Sequence, residues 1–140
     1  MNTNTSAHTR HEGVHCTLDI KRPAPAIVVV TLSGSDIGEF GDLALRELAT
    51  DLDRYQAISL FIDAGEVKGA TVEVSSEWAI WMGKHRAGLR QVGMLTGSRY
   101  IQMTAEFVRR FSGLADRMTI FTDRAAFDGA IDASGLQITR

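Results

Sequence analysis

The run AISLFID, residues 57–63, constrains what this chain can fold into more than any other stretch. It is short and apolar on both faces, closes on the acid Asp63, and is followed by the glycine-containing segment AGEVKGATVEVSS. A run of this kind reads as a strand buried from both sides, which calls for helices packed on a sheet. Such a strand delivers its loop to the carboxyl edge, where α/β sheets usually bind ligands and partners. Residues 64–76 are therefore expected to form the long functional loop.

The neighbouring sequence fits that frame. AIVVVTL, residues 26–32, is a second apolar run, rich in β-branched side chains and suited to an interior strand. Between the two runs, Phe40, Leu43, Ala44, Leu48, Leu52 and Tyr55 recur at helical spacing and predict an amphipathic helix over residues 37–55. Asp36 followed by Glu39 resembles a capping box at its start, while Gly38 and Gly41 weaken the first turns. Upstream, residues 14–21 alternate, with Val14, Cys16, Leu18 and Ile20 on one face of an edge strand. RPAPA then makes a turn into an antiparallel pair. Residues 1–12 are polar and aperiodic, which predicts a disordered tail ahead of one domain over residues 13–140.

Downstream, VSSEWAIWMGKH places Trp78, Trp81, Met82 and His85 at helical spacing, with Ser75 or Ser76 as the cap. QVGMLTG is a short strand. Residues 99–111 form a third helix with Tyr100, Met103, Phe107 and Phe111 as its inner stripe, closed by Gly113. RMTIFTD and residues 124–131 supply the last strand and helix, with Phe127 and Ile131 inward. The predicted order is β-β-α-β-α-β-α-β-α, an α/β single domain whose mixed, mostly parallel sheet carries an antiparallel edge strand.

Charge and length leave several function classes without support. A formal net charge of -2 gives no electrostatic case for nucleic acid or an anionic membrane. No apolar stretch approaches the ~20 residues that span a bilayer, and the amino terminus lacks the apolar segment of a secretory signal. The lone Cys16 makes no internal disulfide, so a cytoplasmic soluble protein is the expectation.

With this order in hand, the chain resembles the SpoIIAA-like, STAS-type domains of sulphate transporters and anti-sigma-factor antagonists. The likeness spans about residues 14–132. It rests on the hairpin into AIVVVTLSG, the helix into AISLFID, the Trp-bearing helix EWAIWMGKH and the closing RMTIFTDRAAFDGAI. It is nearest to stand-alone bacterial members. The resemblance implies a non-enzymatic regulatory module with a protein partner. In the antagonists an Asp-Ser pair opens the helix after the equivalent strand, and that serine is phosphorylated to switch binding. The pair is absent here: the position falls near Thr71 and Val72, with Ser75 and Ser76 slightly later, and DASG at residues 132–135 reads as coincidence after the last helix.

Each candidate group has a plainer reading beside the functional one. Thr71, Ser75 and Ser76 are phospho-switch candidates because phosphate at a helix amino terminus meets the dipole, with Lys68 near; ordinary capping is the favoured reading for Ser75 and Ser76, and Thr71 is the better switch candidate by position. His8, His11, His15 and Cys16 cluster, but their spacing matches no zinc pattern, so no metal and no cofactor is expected. Asp63, Lys68, Trp78, Trp81, Met82, His85, Tyr100 and Met103 compose a candidate partner or ligand surface, whose aromatic and Met members also suit plain core. Arg86, Arg90, Arg99, Arg109 and Arg110, interspersed with Glu73, Glu77 and Glu106, read as a solvated mixed face. No Ser-His-Asp set, Cys-His pair, P-loop or GxGxxG occurs, and a His85 pairing with Asp63 or Glu66 is not required by spacing. The expected function is an interaction module contacting through residues 64–85, with a carrier of a small apolar or lipid-like ligand as the alternative and a homodimer as one further use of the surface.

Overall fold

The computed structural model describes the backbone of residues 8–139 and the side chains of residues 8–135. In chain order the elements are β1 (His8–Glu12), β2 (Cys16–Ala24), β3 (Ile27–Asp36), α1 (Leu43–Tyr55), β4 (Ile58–Ala70), α2 (Val72–Lys84), β5 (Leu89–Thr96), α3 (Arg99–Ser112), β6 (Met118–Phe121) and α4 (Arg124–Thr139). The six strands form one sheet in the order β1-β2-β3-β4-β5-β6. The pairs β1–β2 and β2–β3 are antiparallel, and the rest are parallel. This is the mixed, mostly parallel α/β architecture expected, with one strand more at the amino-terminal edge.

That extra strand corrects the expected tail at residues 8–12; residues 1–7 lie outside the described residues. HTRHE contains no apolar side chain, so nothing in its hydrophobic pattern announces a strand. Its attachment is polar. His8 and Arg10 reach Asp19 at 2.9 and 2.6 Å, and His11 stands 3.9 Å from Glu47 of α1. After the β1–β2 turn, His15 meets Glu39 at 3.3 Å. The three amino-terminal histidines thus diverge to three different carboxylates. Cys16 is buried apart from them, and among the described residues no cluster is built to hold a metal ion.

A sheet whose parallel strands follow one another without reordering carries its right-handed crossovers on a single face. Accordingly α1, α2 and α3 cover one face, packing Leu48, Met82 and Val108 against Ile20, Val30, Leu60, Ile62 and Val92. The other face is covered by α4, whose Phe127 seats edge-on against Phe61 and Phe121 in a second core with Ile27 and Leu95. Strand alternation explains the division: in β4 Leu60 and Ile62 face the three helices, whereas Phe61 and Asp63 face α4. The DASG segment lies inside α4, which is longer than expected, and Ser134 is buried against Gln91.

Several local expectations are revised. The β2–β3 turn is only Pro25 and Ala26, with Ala26 at φ 65, since Arg22 to Ala24 still belong to β2 and the register shifts between Lys21 and Ala24. Val14 is exposed in the preceding turn rather than inward. Helix α1 starts at Leu43, because Gly38 and Gly41 adopt positive φ. Its cap position is Asp42, not Asp36, and Glu39 instead accepts the Val14 and His15 amides at 2.9 Å each.

Candidate functional site

The segment after AISLFID is not a loop. Strand β4 runs on to Ala70, pairing Glu66, Val67, Gly69 and Ala70 with Ser33, Gly34, Ser35 and Asp36 of β3 across two register shifts. Val67 and Ala64 on this extension pack against Ile101 of α3. A single residue, Thr71, then turns the chain. Its amide donates to the Asp36 carbonyl oxygen at 3.1 Å, and its Oγ1 accepts the Val74 amide at 3.2 Å. Thr71 is therefore the cap of α2. Ser75, buried, and Ser76, half-buried, lie within the helix, which corrects their expected capping role.

Helix α2 has unlike flanks. Towards α3 it offers Ser75, Ala79 and Gly83, small residues that let the helices approach until a Cβ on Gly83 would stand 3.4 Å from the Ser112 carbonyl oxygen. Towards α1 it turns Trp78 and Trp81. Trp78 is half-buried over Leu32 and Phe40, while Trp81 lies against the His85 ring at 4.5 Å. An open groove of about 330 Å³ separates α1 from α2, floored by Leu45, Ala49 and Trp81 and rimmed by charged side chains. Met82 is fully buried core.

Beneath α2 and α3 lies a cavity of about 60 Å³ walled by Ile62, Trp78, Met82, Met94, Ile101 and Val108, with the Asp36 carboxyl at its margin. Burial pushes that carboxyl above its ordinary range, the Glu39 charge adds to this, and the Gly38 amide at 3.1 Å opposes it. An engineered cavity that accepts benzene measures about 150 Å³, so this space admits no lipid-like chain unless the helices part.

The largest departure concerns α3. Its inward residues are Ile101, Ala105, Val108 and Ser112, and Ile101 is only 1% exposed. The stripe expected to be inward faces solvent: Tyr100, Met103 and Phe111 are 58%, 66% and 63% exposed, and Phe107 is exposed and stacked on Phe111 at 5.3 Å. Both stripes have helical spacing, and they differ by one residue of rotation. Exposed Val72 at the start of α2 joins the outer stripe, and a groove of about 270 Å³ runs between Val72, Ser75, Tyr100, Met103 and Phe107.

The remaining expected members scatter. Asp63 lies on the opposite sheet face, paired with Arg124, so it does not join Trp78 or Tyr100. Lys68 is exposed on the β4 extension. His85 closes the far end of α2 on the face covered by α1, α2 and α3, whereas Asp63 faces α4, so the two are not brought together as an acid–base pair. Of the arginines, Arg86 lies over the left-handed Gly113 cap of α3, and Arg109 binds Glu106 at 2.7 Å and the Met118 carbonyl oxygen. Arg90, Arg99 and Arg110 are exposed, and among the described residues neither Arg99 nor Arg110 has an ion-pair partner.

No protein-family model matches the sequence, and no curated protein matches it. Solved structures do. One is an uncharacterized DUF3478-family protein with a SpoIIAA-like fold from Shewanella loihica PV-4, similar at a TM-score of 0.62 and 14% identity over 86% of this chain and 98% of that one. Another is the anti-sigma factor antagonist SpoIIAA in its unphosphorylated form, at a TM-score of 0.55 and 19% identity over 81% of this chain and 95% of that one. Sheet, crossovers and these likenesses agree: the chain has a SpoIIAA-like fold.

Proposed function

We propose that this protein is a non-enzymatic regulatory module that binds another protein through the outer surface of α2 and α3. The supporting observation is the contiguous exposed row of Val72, Tyr100, Met103, Phe107 and Phe111. Aromatic and Met side chains are enriched in interface cores, and a soluble domain seldom leaves such a row uncovered without use. The solved antagonist of the same fold lends the reading its precedent. Among the described residues no helix is long and apolar enough to cross a membrane. The proposed contact surface differs from the one expected: Tyr100 and Met103 stay in it, whereas Trp81 and His85 line the separate α1–α2 groove and Trp78 walls the apolar cavity.

Thr71 is the hydroxyl best placed for a switch within this reading. A phosphoryl group there would meet the amino terminus of α2 and displace the bond from Val74 to Oγ1. Ser75 is too buried to be modified in the folded protein.

The test is affinity capture from the native cell with wild-type protein and with Met103→Glu and Phe107→Glu, each variant first shown to keep the wild-type melting curve. A partner retained by the wild type and lost from both variants supports the reading. The same partners on all three proteins would sink it. The carrier reading needs α2 and α3 to part, because the apolar cavity of about 60 Å³ holds no lipid-like chain as it stands; Ser75 and Thr104 line both it and the outer groove. Native mass spectrometry that finds only the apo mass would remove it.

A further inference from the structure

We propose that the occupant of the groove between the start of α2 and α3 is an amphipathic helix whose apolar face is flanked by acidic side chains. This rests on the interaction reading above and adds the partner's chemistry. Arg99 and Arg110 are eleven residues apart, close to three helical turns, so they line up along α3 about 16 Å apart. Each stands immediately before an exposed aromatic, Tyr100 and Phe111, so the row of cations runs beside the row of apolar side chains. Neither is neutralised within the described residues, because Glu106, the acid on this helix, is engaged by Arg109. An acidic helix laid along α3 answers both rows at once. Its apolar residues at i, i+3, i+4 and i+7 enter the groove, and its carboxylates meet the two guanidinium groups.

Charge and shape discriminate against the other occupants. A second copy docking by the same stripe in a two-fold arrangement would set Arg99 of one chain against Arg110 of the other, like charges that repel. An anionic bilayer meets the same arginines, but the surface between Val72 and Tyr100 is a concave groove of about 270 Å³, shaped for inserted side chains.

The probes are two labelled synthetic helical peptides of identical apolar spacing, one with Glu and one with Lys at every flanking position, titrated with the full chain by fluorescence anisotropy. The Glu peptide is expected to bind about tenfold tighter or more at low salt, with the advantage collapsing at molar salt. Arg99→Glu/Arg110→Glu should reverse the preference, and Met103→Glu should weaken both peptides. Equal binding of the two peptides with sensitivity to Met103→Glu would overturn the acidic partner while leaving the surface intact. Binding indifferent to Met103→Glu, or of neither peptide, overturns the helix-in-groove proposal, as does sedimentation with phosphatidylserine vesicles in place of peptide binding. The interaction reading itself stands or falls separately, on the cellular capture.

Discussion

The Arg124 guanidinium donates to both carboxylate oxygens of Asp63, at 3.0 and 3.1 Å, and so ties the first turn of α4 to the middle of β4. Arg124 is half exposed whereas Asp63 is nearly covered, so the pair is worth about 1 kcal/mol after solvent screening. Arg124→Ala should lower stability by that order in urea titration and raise amide exchange selectively in α4. Partner binding should be unchanged, because the pair lies on the face away from the α2–α3 groove.

The two stripes of α3 should separate cleanly in thermal melts. Ile101→Ala removes fully buried side-chain volume and is expected to cost about 2–5 kcal/mol. Met103→Ala, at an exposed position, should stay within about 0.5 kcal/mol. If the costs were reversed, the assigned rotation of α3 would be wrong.

Capping discriminates among the hydroxyls around α2. Thr71→Ala loses the bond from the Val74 amide and should destabilise by about 1 kcal/mol. Ser76→Ala, with no capping role, should leave the unfolding free energy within about 0.5 kcal/mol of wild type in the same urea titration.

Asp36 and Glu39 should respond to pH with opposite sign. Burial raises the Asp36 carboxyl above its unfolded value, so its charged form opposes folding; that penalty is absent below the unfolded pKa and develops as pH rises through the raised folded value. Asp36→Asn should therefore raise Tm at pH 7 and have no effect at strongly acid pH. At Glu39, desolvation acts upward, but the amides of His15 and Val14 and the His15 ring outweigh it and hold the carboxyl low. Its stabilisation is present above the unfolded carboxylate pKa and is lost as pH falls through the folded one. Glu39→Gln should lower Tm at pH 7, with the difference closing in acid.

Cys16 should be silent. Burial, followed by the charges of Asp36 and Glu39, pushes its thiol up to about 11. At pH 8 a disulfide reagent should label it only after denaturant is added; rapid labelling of the folded protein would contradict its placement.

Apolar runs carried the fold legibly. AIVVVTL and AISLFID are interior strands because side chains on both of their faces meet helices, and sequence displays that directly. Features held by polar contacts were not legible. HTRHE becomes a strand through Asp19 and Glu47, partners set by tertiary structure alone. Gly65 and Gly69 signalled a loop, yet β4 continues through them; at Gly65 the room is used by Gly97, where a Cβ would collide with the Gly65 carbonyl. Of the candidate surface, the residue types were visible and their orientation was not. Two apolar registers on α3 differ by one residue, and tertiary packing decides which goes in, Ile101 against Ala64 and Val67 and Ala105 and Val108 in the main core.

The strict spatial succession of the strands has a consequence for biosynthesis. Each strand from β2 onward pairs with the one made just before it, so the sheet can extend as the chain emerges. Its second face is different: Ile27, Phe61 and Leu95 remain uncovered until α4, the last element in chain order, brings Phe127 across them. Until α4 docks, the sheet keeps one greasy side in the open, and uncovered apolar surface of that kind is what makes a partly folded chain prone to aggregate.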